Sequence, residues 1–399
     1  MAVTNAVKML VFLFISLGII CGLHYLLYAS LVRFGVVSDP ALKRVLLWLL
    51  IVLGLSFFPA AILMRISPGV PSNLLYMVAA FWMGLFIYLL PATLLSWGVF
   101  GLGKLAGITP NMRLVLITCW VLAAAVAIHG TWRARYPALK PIDITLKDLP
   151  DAWRGKTIIQ LSDVHLGAVQ GPEFLKRVTA LVNSVHPELI LITGDLFDGV
   201  SGGNLADFIE PLNRLESVRG IFFATGNHEG YLGLAGPLNV LSRTKIRVLN
   251  NEIVDINGLQ IIGIPFPEHN RKNNVRNLLE GSNTYSAGKP SILMYHTPTN
   301  IGEQFSDREN QQTNTYWRPD ISMRFVKNAG VDLQISGHTH RGQLFPFTLL
   351  TRYIFQGYDY GLHRDGDFQI YITSGAGTWG PPMRVACPPE IPVFRLNRP

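Results

Sequence analysis

The sequence has few cysteines, and acidic residues are nearly absent from its first third. The three cysteines, Cys21, Cys119 and Cys387, are too few for a disulfide framework and leave the redox compartment undetermined. Residues 1–140 contain one acid, Asp39, against ten Lys and Arg, a net charge of +9. The other 259 residues carry 24 basic and 25 acidic groups. They lack the basic excess that nucleic-acid binding needs, so no nucleic-acid partner is expected.

Charge is missing altogether from four apolar stretches, which are residues 9–29, 45–64, 74–97 and 114–132. A helix needs about 20 such residues to cross about 30 Å of hydrocarbon. We therefore expect an all-α four-helix transmembrane domain over residues 1–135. Pro59 and Pro91 are expected to kink their helices without breaking them. The alternative for the first stretch is a cleaved signal peptide, but the stretch is too long for one and three more spans follow.

The basic residues between these stretches bear on orientation. Those after the first and third stretches are Arg33, Lys43, Arg44, Lys104 and Arg113. The positive-inside rule places them in the cytoplasm and everything after the fourth stretch outside. The basic residues just after the fourth stretch, Arg133, Arg135 and Lys140, argue for the opposite orientation. We expect a multi-pass protein of the plasma (inner) membrane whose second domain faces the exoplasmic side.

Residues 136–150 contain three prolines and no long apolar run, which predicts a linker that merges into a first edge strand. From residue 151 to 399, short β-branched runs alternate with amphipathic stretches, and further strand-like runs follow with little helix between them. This alternation predicts an α/β (α+β) domain in which two mixed β-sheets pack face to face and helices flank them.

Five of the predicted strands end in Asp, Asn or His, residue types that can bind metals. The motifs at these ends are Ser162-Asp163-Val164-His165, Gly194-Asp195-Leu196-Phe197-Asp198, Gly226-Asn227-His228-Glu229, His296-Thr297-Pro298 and Gly337-His338-Thr339-His340. Ligands of open α/β sheets bind outside the carboxyl ends of the strands. Each motif alone also fits a structural role, such as a helix cap, a turn or a buried histidine. Five such ends in one domain favour a metal centre.

In this order, Asp-x-His, Gly-Asp-x-x-Asp, Gly-Asn-His-Glu, His and Gly-His-x-His resemble the calcineurin-like metallophosphoesterases over residues 155–397. The tail from Thr373 to Ile391 is similar to a bacterial branch of membrane-associated phosphodiesterases in that family. The resemblance implies that Asp163, His165, Asp195 and His340 hold one divalent metal ion. It implies that Asn227, His296 and His338 hold a second, with Asp195 bridging the two. It also implies that His228 is the catalytic acid on the phosphate side and that Asp198 supports it.

This chemistry also follows from the residue types. Two divalent ions about 3.5 to 4 Å apart neutralise phosphate oxygens and activate water. Histidine nitrogens with carboxylate oxygens suit Mn, Fe, Zn or Co about equally. We therefore expect a membrane-anchored hydrolase of phosphoester bonds. The bond cleaved is expected to be a phosphodiester or a pyrophosphate, and a lipid-linked substrate is one option. The alternatives are a phosphomonoesterase of the same fold and a catalytically silent signalling or scaffold protein that keeps the metal site.

Three residues are candidates for substrate contact. Arg341 follows the second histidine of Gly-His-x-His, where relatives often have glycine, and either binds an anionic substrate or is a plain surface arginine. Arg318 belongs to the polar stretch 306–320, which is either a recognition lid or a surface loop. Trp379 lies near a strand end and is expected to line the pocket. Oligomeric state is not predicted by any of these features.

Overall fold

The computed structural model describes residues 2–200, 204–267, 275–281, 284–301 and 317–399. The chain divides into two compact units, the first comprising residues 1–132 and 380–383 and the second residues 133–379 and 384–399. The predicted division into residues 1–135, 136–150 and 151–399 remains a prediction. The interval predicted as a linker contains the first strand of the structure.

The first unit is helical. Its helices are α1 (Ala2–Arg33), α2 (Pro40–Leu55), α3 (Phe57–Ile66), α4 (Val70–Leu105) and α5 (Met112–Ala134). Among the described residues, three helices are long and apolar enough to cross a membrane, and α2 with α3 makes a fourth if the bent pair is one span. This agrees with the expectation of apolar N-terminal helices and leaves their number at three to four.

The two prolines within these stretches have different effects. Pro91 lies inside the continuous helix α4, as expected. Pro59, in contrast, accompanies a break of 55° between α2 and α3, so the expectation of a mere kink there was wrong. Proline has no N–H to donate to the carbonyl four residues earlier, and its ring clashes with that carbonyl. That position is Leu55, the last residue of α2.

Tryptophan N–H groups connect the helices of the first unit. Trp82 on α4 donates to His24 of α1 at 3.1 Å, Trp97 on α4 donates to Ser30 of α1 at 2.8 Å, and Trp120 on α5 donates to Thr93 of α4 at 2.9 Å. The other ring nitrogen of His24, Nδ1, lies 2.8 Å from the carbonyl oxygen of Ile20, one turn earlier in α1. Such bonds satisfy polar groups that would be costly to leave unpaired in an apolar environment.

The second unit contains two six-stranded mixed sheets, in agreement with the expected fold class. Its strands are β1 (Ala138–Thr145), β2 (Thr157–Leu161), β3 (Leu189–Thr193), β4 (Ile221–Ala224), β5 (Arg247–Val248), β6 (Glu252–Ile256), β7 (Leu259–Gly263), β8 (Ser291–Met294), β9 (Leu333–Ser336), β10 (Gly361–Asp365), β11 (Phe368–Ile372) and β12 (Glu390–Asn397). The first sheet has the order β1-β12-β2-β3-β4-β5, and the second has the order β10-β11-β9-β8-β7-β6.

Apolar side chains from the inner faces of both sheets form a buried core between them, with Leu191 and Phe222 from the first sheet and Ile292 and Ile335 from the second. The flanking helices are α6 (Pro172–Asn183), α7 (Ile209–Asn213), α8 (Asn227–Leu232), α9 (Ala235–Leu241), α10 (Val275–Leu279), α11 (Arg324–Asn328) and α12 (Phe347–Ile354). Strands β2, β3 and β4 run parallel in one sheet, and β8 and β9 run parallel in the other. The five carboxyl ends that carry the polar motifs belong to these strands.

Candidate metal centre

The structure brings all seven predicted ligands into one cluster, in which His338 alone of the seven is partly exposed. Three groups of donor atoms, one of which includes the predicted acid His228, lie within 4.8 Å of one another: Asp163 with His165 and His340, His165 with Asp195 and His228, and Asp195 with His296 and His338. Asn227 joins the last group because its Oδ1 accepts a hydrogen bond from His338 Nδ1 at 3.0 Å. Asp195 is a member of two groups, which is the position that a bridging carboxylate would occupy.

The backbone at the strand ends adopts an uncommon conformation. Asp163, His165, Asp195, His338 and His340 all have positive φ, between 48° and 70°. This region is sparsely populated by residues other than glycine, and such strain concentrates at functional sites. Because each strand turns sharply where it ends, the polar side chains of different strands converge on one volume.

The loop that carries the last two histidines is tied to Asp163. The backbone N–H of His338 donates to both carboxylate oxygens of Asp163, at 3.0 and 3.2 Å, and Ser162 Oγ donates to Oδ2 at 2.5 Å. A Cβ on Gly337 would lie 2.0 Å from that same Oδ2. This close approach requires glycine at position 337 and fixes the distance between the two sheets at the site.

The arrangement of His296 fits a metal ion. Its Nδ1–H donates to the carbonyl of Thr193 at 2.8 Å, which leaves the lone pair on Nε2. Nε2 is buried without a hydrogen-bond partner and lies 3.1 Å from Asp195 Oδ2. A lone pair that faces a carboxylate oxygen is repulsive unless a cation lies between them. The donor set of histidine nitrogens and carboxylate oxygens therefore suits a transition-metal ion.

The electrostatics of the cluster also favour metal binding. Burial lowers the pKa of His165 and His340 and, together with the charge of His296, lowers the pKa of His338 to about 3. These rings are therefore neutral, the form that ligates metals. Burial alone would lower the pKa of His296, but Asp195 outweighs it and raises that pKa to about 10. In the absence of a metal ion, a proton takes the place of the cation at this pair.

His228, the predicted acid, points one ring nitrogen at the cluster. The backbone N–H of Gly199 donates to its Nδ1 at 2.9 Å, and Asp198 Oδ1 lies 3.5 Å from the same nitrogen. Nε2 lies 4.0 Å from Asp195 Oδ2. Burial lowers the pKa of His228, but the charges of Asp195 and Asp198 outweigh it and raise that pKa above its usual value. Because Gly199 occupies Nδ1, the neutral ring carries its proton on Nε2, towards the cluster.

Two buried residues support the site without having been assigned a role from the sequence. Glu229 accepts hydrogen bonds from the backbone N–H groups of Asp195, Gly226 and Phe197, at 2.7 to 3.1 Å. Burial and the nearby charge of Asp195 raise the pKa of Glu229 to about 7. Arg384 donates to the carbonyl oxygens of His340 and Gly377, at 2.6 to 3.2 Å. Glu229 stands three residues after Gly226, which is the spacing of a capping box and a signal that sequence reasoning could have used. Arg384 lies 44 residues from His340 and has no such signal.

The three candidate substrate residues have different surroundings. Trp379 is about half exposed, at 48%, and its ring centroid lies 6.3 Å from that of His228. The Arg341 guanidinium lies 4.4 Å from the ring centroid of Tyr360. Arg318 is exposed, and residues 306–316 of the stretch predicted as a lid or loop lie outside the described residues. Contact of these residues with a substrate remains a prediction.

Comparison with known proteins identifies the family. A family model for calcineurin-like phosphoesterases matches residues 156–342. The chain is 34% identical over 273 residues to a protein of Helicobacter pylori named "Uncharacterized metallophosphoesterase", covering 66% of each chain. A protein of the same name from Aquifex aeolicus is 32% identical over 283 residues, which cover 69% of this chain and 98% of that one.

A third relative is named as a transmembrane protein. The "Transmembrane protein with metallophosphoesterase domain" of Danio rerio is 30% identical over 296 residues, which cover 70% of this chain and 62% of that one. The matched region spans just under two thirds of the Helicobacter pylori and Danio rerio relatives. The strand-end motifs, the geometry of the cluster and these relatives agree: this chain belongs to the calcineurin-like metallophosphoesterase family.

Proposed function

We propose that this protein is a membrane-anchored phosphoester hydrolase that uses two divalent metal ions and cleaves phosphodiester or pyrophosphate bonds. The observation that carries the proposal is the convergence of the candidate ligand atoms, within which His296 Nε2 and Asp195 Oδ2 lie 3.1 Å apart, a separation that needs a cation between them. One metal ion is assigned to Asp163, His165, Asp195 and His340. The second is assigned to Asn227, His296 and His338, and Asp195 is shared.

The charge of this ligand set suits an anionic substrate. Among the seven ligands, only Asp163 and Asp195 are carboxylates, so two divalent ions would leave the site with a net positive charge. When bound, the ions would neutralise phosphate oxygens and activate a water molecule. Asn227 contributes an oxygen without adding the negative charge that would repel a phosphoester. His165, His338 and His340, kept neutral by burial, contribute nitrogen ligands at no charge.

His228 is assigned the role of general acid. In the neutral ring, Nδ1 accepts from the N–H of Gly199, which orients Nε2 towards the cluster. As the acid, His228 carries a second proton, passes the Nε2 proton to the leaving oxygen of the ester and is left neutral. Asp198, 3.5 Å from Nδ1, stabilises the ring when it is charged. Trp379 and Tyr231 lie beside His228, at ring-centroid distances of 6.3 and 5.2 Å. An aromatic rim at this position favours a leaving group with an apolar or flat portion.

The apolar helices of the first unit support anchoring in the plasma (inner) membrane. We propose four crossings, with the bent pair α2–α3 as one of them, and a second unit on the exoplasmic side. The basic residues Lys43, near the start of α2, and Lys104, at the end of α4, then lie at the cytoplasmic ends of their helices, as the positive-inside rule requires. If the α2–α3 pair instead entered and left the membrane on the same side, the chain would cross three times. The second unit and the amino terminus would then lie on opposite sides of the membrane. A reporter at the carboxyl terminus that is active only in the cytoplasm would refute the exoplasmic assignment.

The hydrolase proposal is tested with full-length protein in detergent, freed of metal by a chelator and reloaded with manganese. An aryl phosphodiester and the corresponding monoester serve as substrates. Hydrolysis of the diester that depends on manganese supports the proposal, and faster hydrolysis of the monoester favours a phosphomonoesterase instead. Tight metal binding without hydrolysis of either substrate, with any divalent ion, favours the catalytically silent scaffold. Phosphodiesters presented on a lipid and in solution then distinguish the substrate class.

A further inference from the structure

Helix α12 and the residues just before it expose an unusual amount of apolar surface. Ten large apolar side chains are exposed among the described residues of the second unit, and five of them lie between residues 345 and 353. These five are Phe345, Phe347, Leu349, Leu350 and Tyr353. Leu349 is 60% exposed and Tyr353 is 81% exposed. Contiguous apolar patches are rare on soluble surfaces and mark sites of interaction.

Helix α12 is strongly amphipathic, and most of its apolar side is exposed. Thr351 and Ile354 are buried, so they hold α12 on the second unit, while the exposed side chains lie on the other side of the helix. The charged residues from His338 to Tyr358 are basic, Arg341 and Arg352, and no acid occurs in this interval. A helix with Phe and Leu on its outer face and Arg and Tyr beside them has the composition of an interfacial membrane helix. The basic residues complement anionic lipid headgroups.

Chain length brings this surface close to a bilayer, on the proposed membrane anchoring. Helix α5 ends at Ala134 and strand β1 begins at Ala138, so only residues 135–137 separate them. Three residues span at most about 10 Å when fully extended. The second unit therefore begins within that distance of the end of a membrane-spanning helix. Part of its surface must adjoin the headgroup layer, and the exposed face of α12 is the part whose composition suits it.

Helix α12 is firmly connected to the metal centre. It begins seven positions after His340, and a Cβ on Gly342 would lie 2.6 Å from the backbone of Phe347. The side chain of Gln343 accepts from the backbone N–H of Trp379 and donates to its carbonyl, both at 3.1 Å. Helix α12 therefore packs against the loop that follows His340, and that loop is bonded to Trp379 beside His228.

We infer that α12, together with Phe345, is an interfacial anchor that lies in the headgroup region of the bilayer and holds the metal centre at the membrane surface. The occupant of the apolar face is lipid. This inference rests on the proposed membrane anchoring, and it adds that the second unit is docked on the bilayer as well as tethered to it. A docked site would meet a phosphoester whose apolar part remains in the membrane.

The test uses the full-length protein in nanodiscs of phosphatidylcholine and phosphatidylglycerol, with Cys21 and Cys119 replaced by alanine and buried Cys387 retained. A bimane fluorophore is attached at Leu349→Cys, and protein without the new cysteine gives the background. Quenching is measured with lipids that carry a doxyl group near the headgroup, with lipids that carry it near the chain end as the probe for position 122, and with aqueous iodide. Val218→Cys, 71% exposed on the loop before β4, is the aqueous control, and Leu122→Cys, 62% exposed on α5, is the membrane control.

We expect doxyl lipids to quench the label at position 349 at least about threefold more strongly than the label at position 218, with iodide showing the reverse order. Equal iodide quenching at 349 and 218, with doxyl quenching at 122 only, overturns the inference and leaves the anchoring intact. Shielding of position 349 from both quenchers means that protein, such as a second copy of the chain, covers α12, and it also overturns the lipid assignment. Absence of doxyl quenching at 122 refutes the anchoring itself and the inference with it.

Discussion

Replacing Gly337 by alanine should disable the metal centre while leaving the fold in place. The new Cβ would lie 2.0 Å from Asp163 Oδ2 and 2.2 Å from Ser162 Oγ. An ordinary contact is about 3.5 Å, so the Asp163 carboxylate or the histidine loop must move by more than about 1 Å. Metal–ligand distances tolerate only about 0.2 Å, and misplacement by about 1 Å costs about 100-fold in rate.

We therefore expect Gly337→Ala to lower kcat/KM for an aryl phosphodiester by at least about 100-fold, equivalent to about 2.7 kcal/mol of transition-state stabilisation. The metal content per chain should fall in parallel, as measured by elemental analysis of the purified protein. Gly236→Ala is the matched control, because its Cβ would meet only Leu205 at 3.7 Å. Circular dichroism establishes that both variants are folded. If Gly337→Ala keeps wild-type metal content and activity, the close approach at Asp163 does not set the geometry of the site.

Three further variants test separate parts of the account. Glu229→Gln replaces one acceptor oxygen by an amide donor that faces backbone N–H groups. It should therefore destabilise the second unit by about 1 to 3 kcal/mol and lower the apparent Tm. Glu210→Gln on the surface is the control and should have little effect on the apparent Tm. Trp379→Ala should raise KM for a diaryl phosphodiester about tenfold and change KM for a methyl aryl diester less, and equal changes for both substrates would remove the aromatic-rim assignment. The double variant Leu349→Glu with Leu350→Glu should slow hydrolysis of a lipid-embedded phosphodiester about tenfold and leave a soluble one unchanged. Val218→Glu is its control, and equal loss on both substrates would contradict a role in docking.

Much of the fold was predictable because its strands are short, β-branched and bounded by turn residues. Runs such as residues 189–193 read as buried strands, and their carboxyl ends supply the polar motifs. Once parallel strands are assumed, the polar motifs of each sheet must meet at one edge of that sheet. The face-to-face packing of the two sheets then brings the two sets of motifs together. The sequence therefore predicted which residues the structure brings together, and the family resemblance predicted how they divide between two metal ions.

Other features depend on contacts that sequence patterns do not report. The break at Leu55 was missed because a proline in a membrane-spanning helix is often accommodated, as Pro91 is in α4, and the local sequence does not distinguish the two outcomes. Arg384 contacts the carbonyl and the ring of His340 from 44 residues away, so it has no characteristic spacing. The contact of Glu229 with Gly226 has the spacing of a capping box and was overlooked. Helix α12 is only eight residues long, which is too short to establish the periodicity that marks longer helices.

The assignment of His338 and His340 to different metal ions gives the most direct test of the central claim. The wild-type protein, His338→Ala and His340→Ala are loaded with manganese in detergent, and the bound metal per chain is counted alongside hydrolysis of an aryl phosphodiester. The account predicts two ions per wild-type chain, about one in each variant, and loss of hydrolysis in both. If both variants keep two ions per chain and wild-type activity, the two-metal centre described here is contradicted.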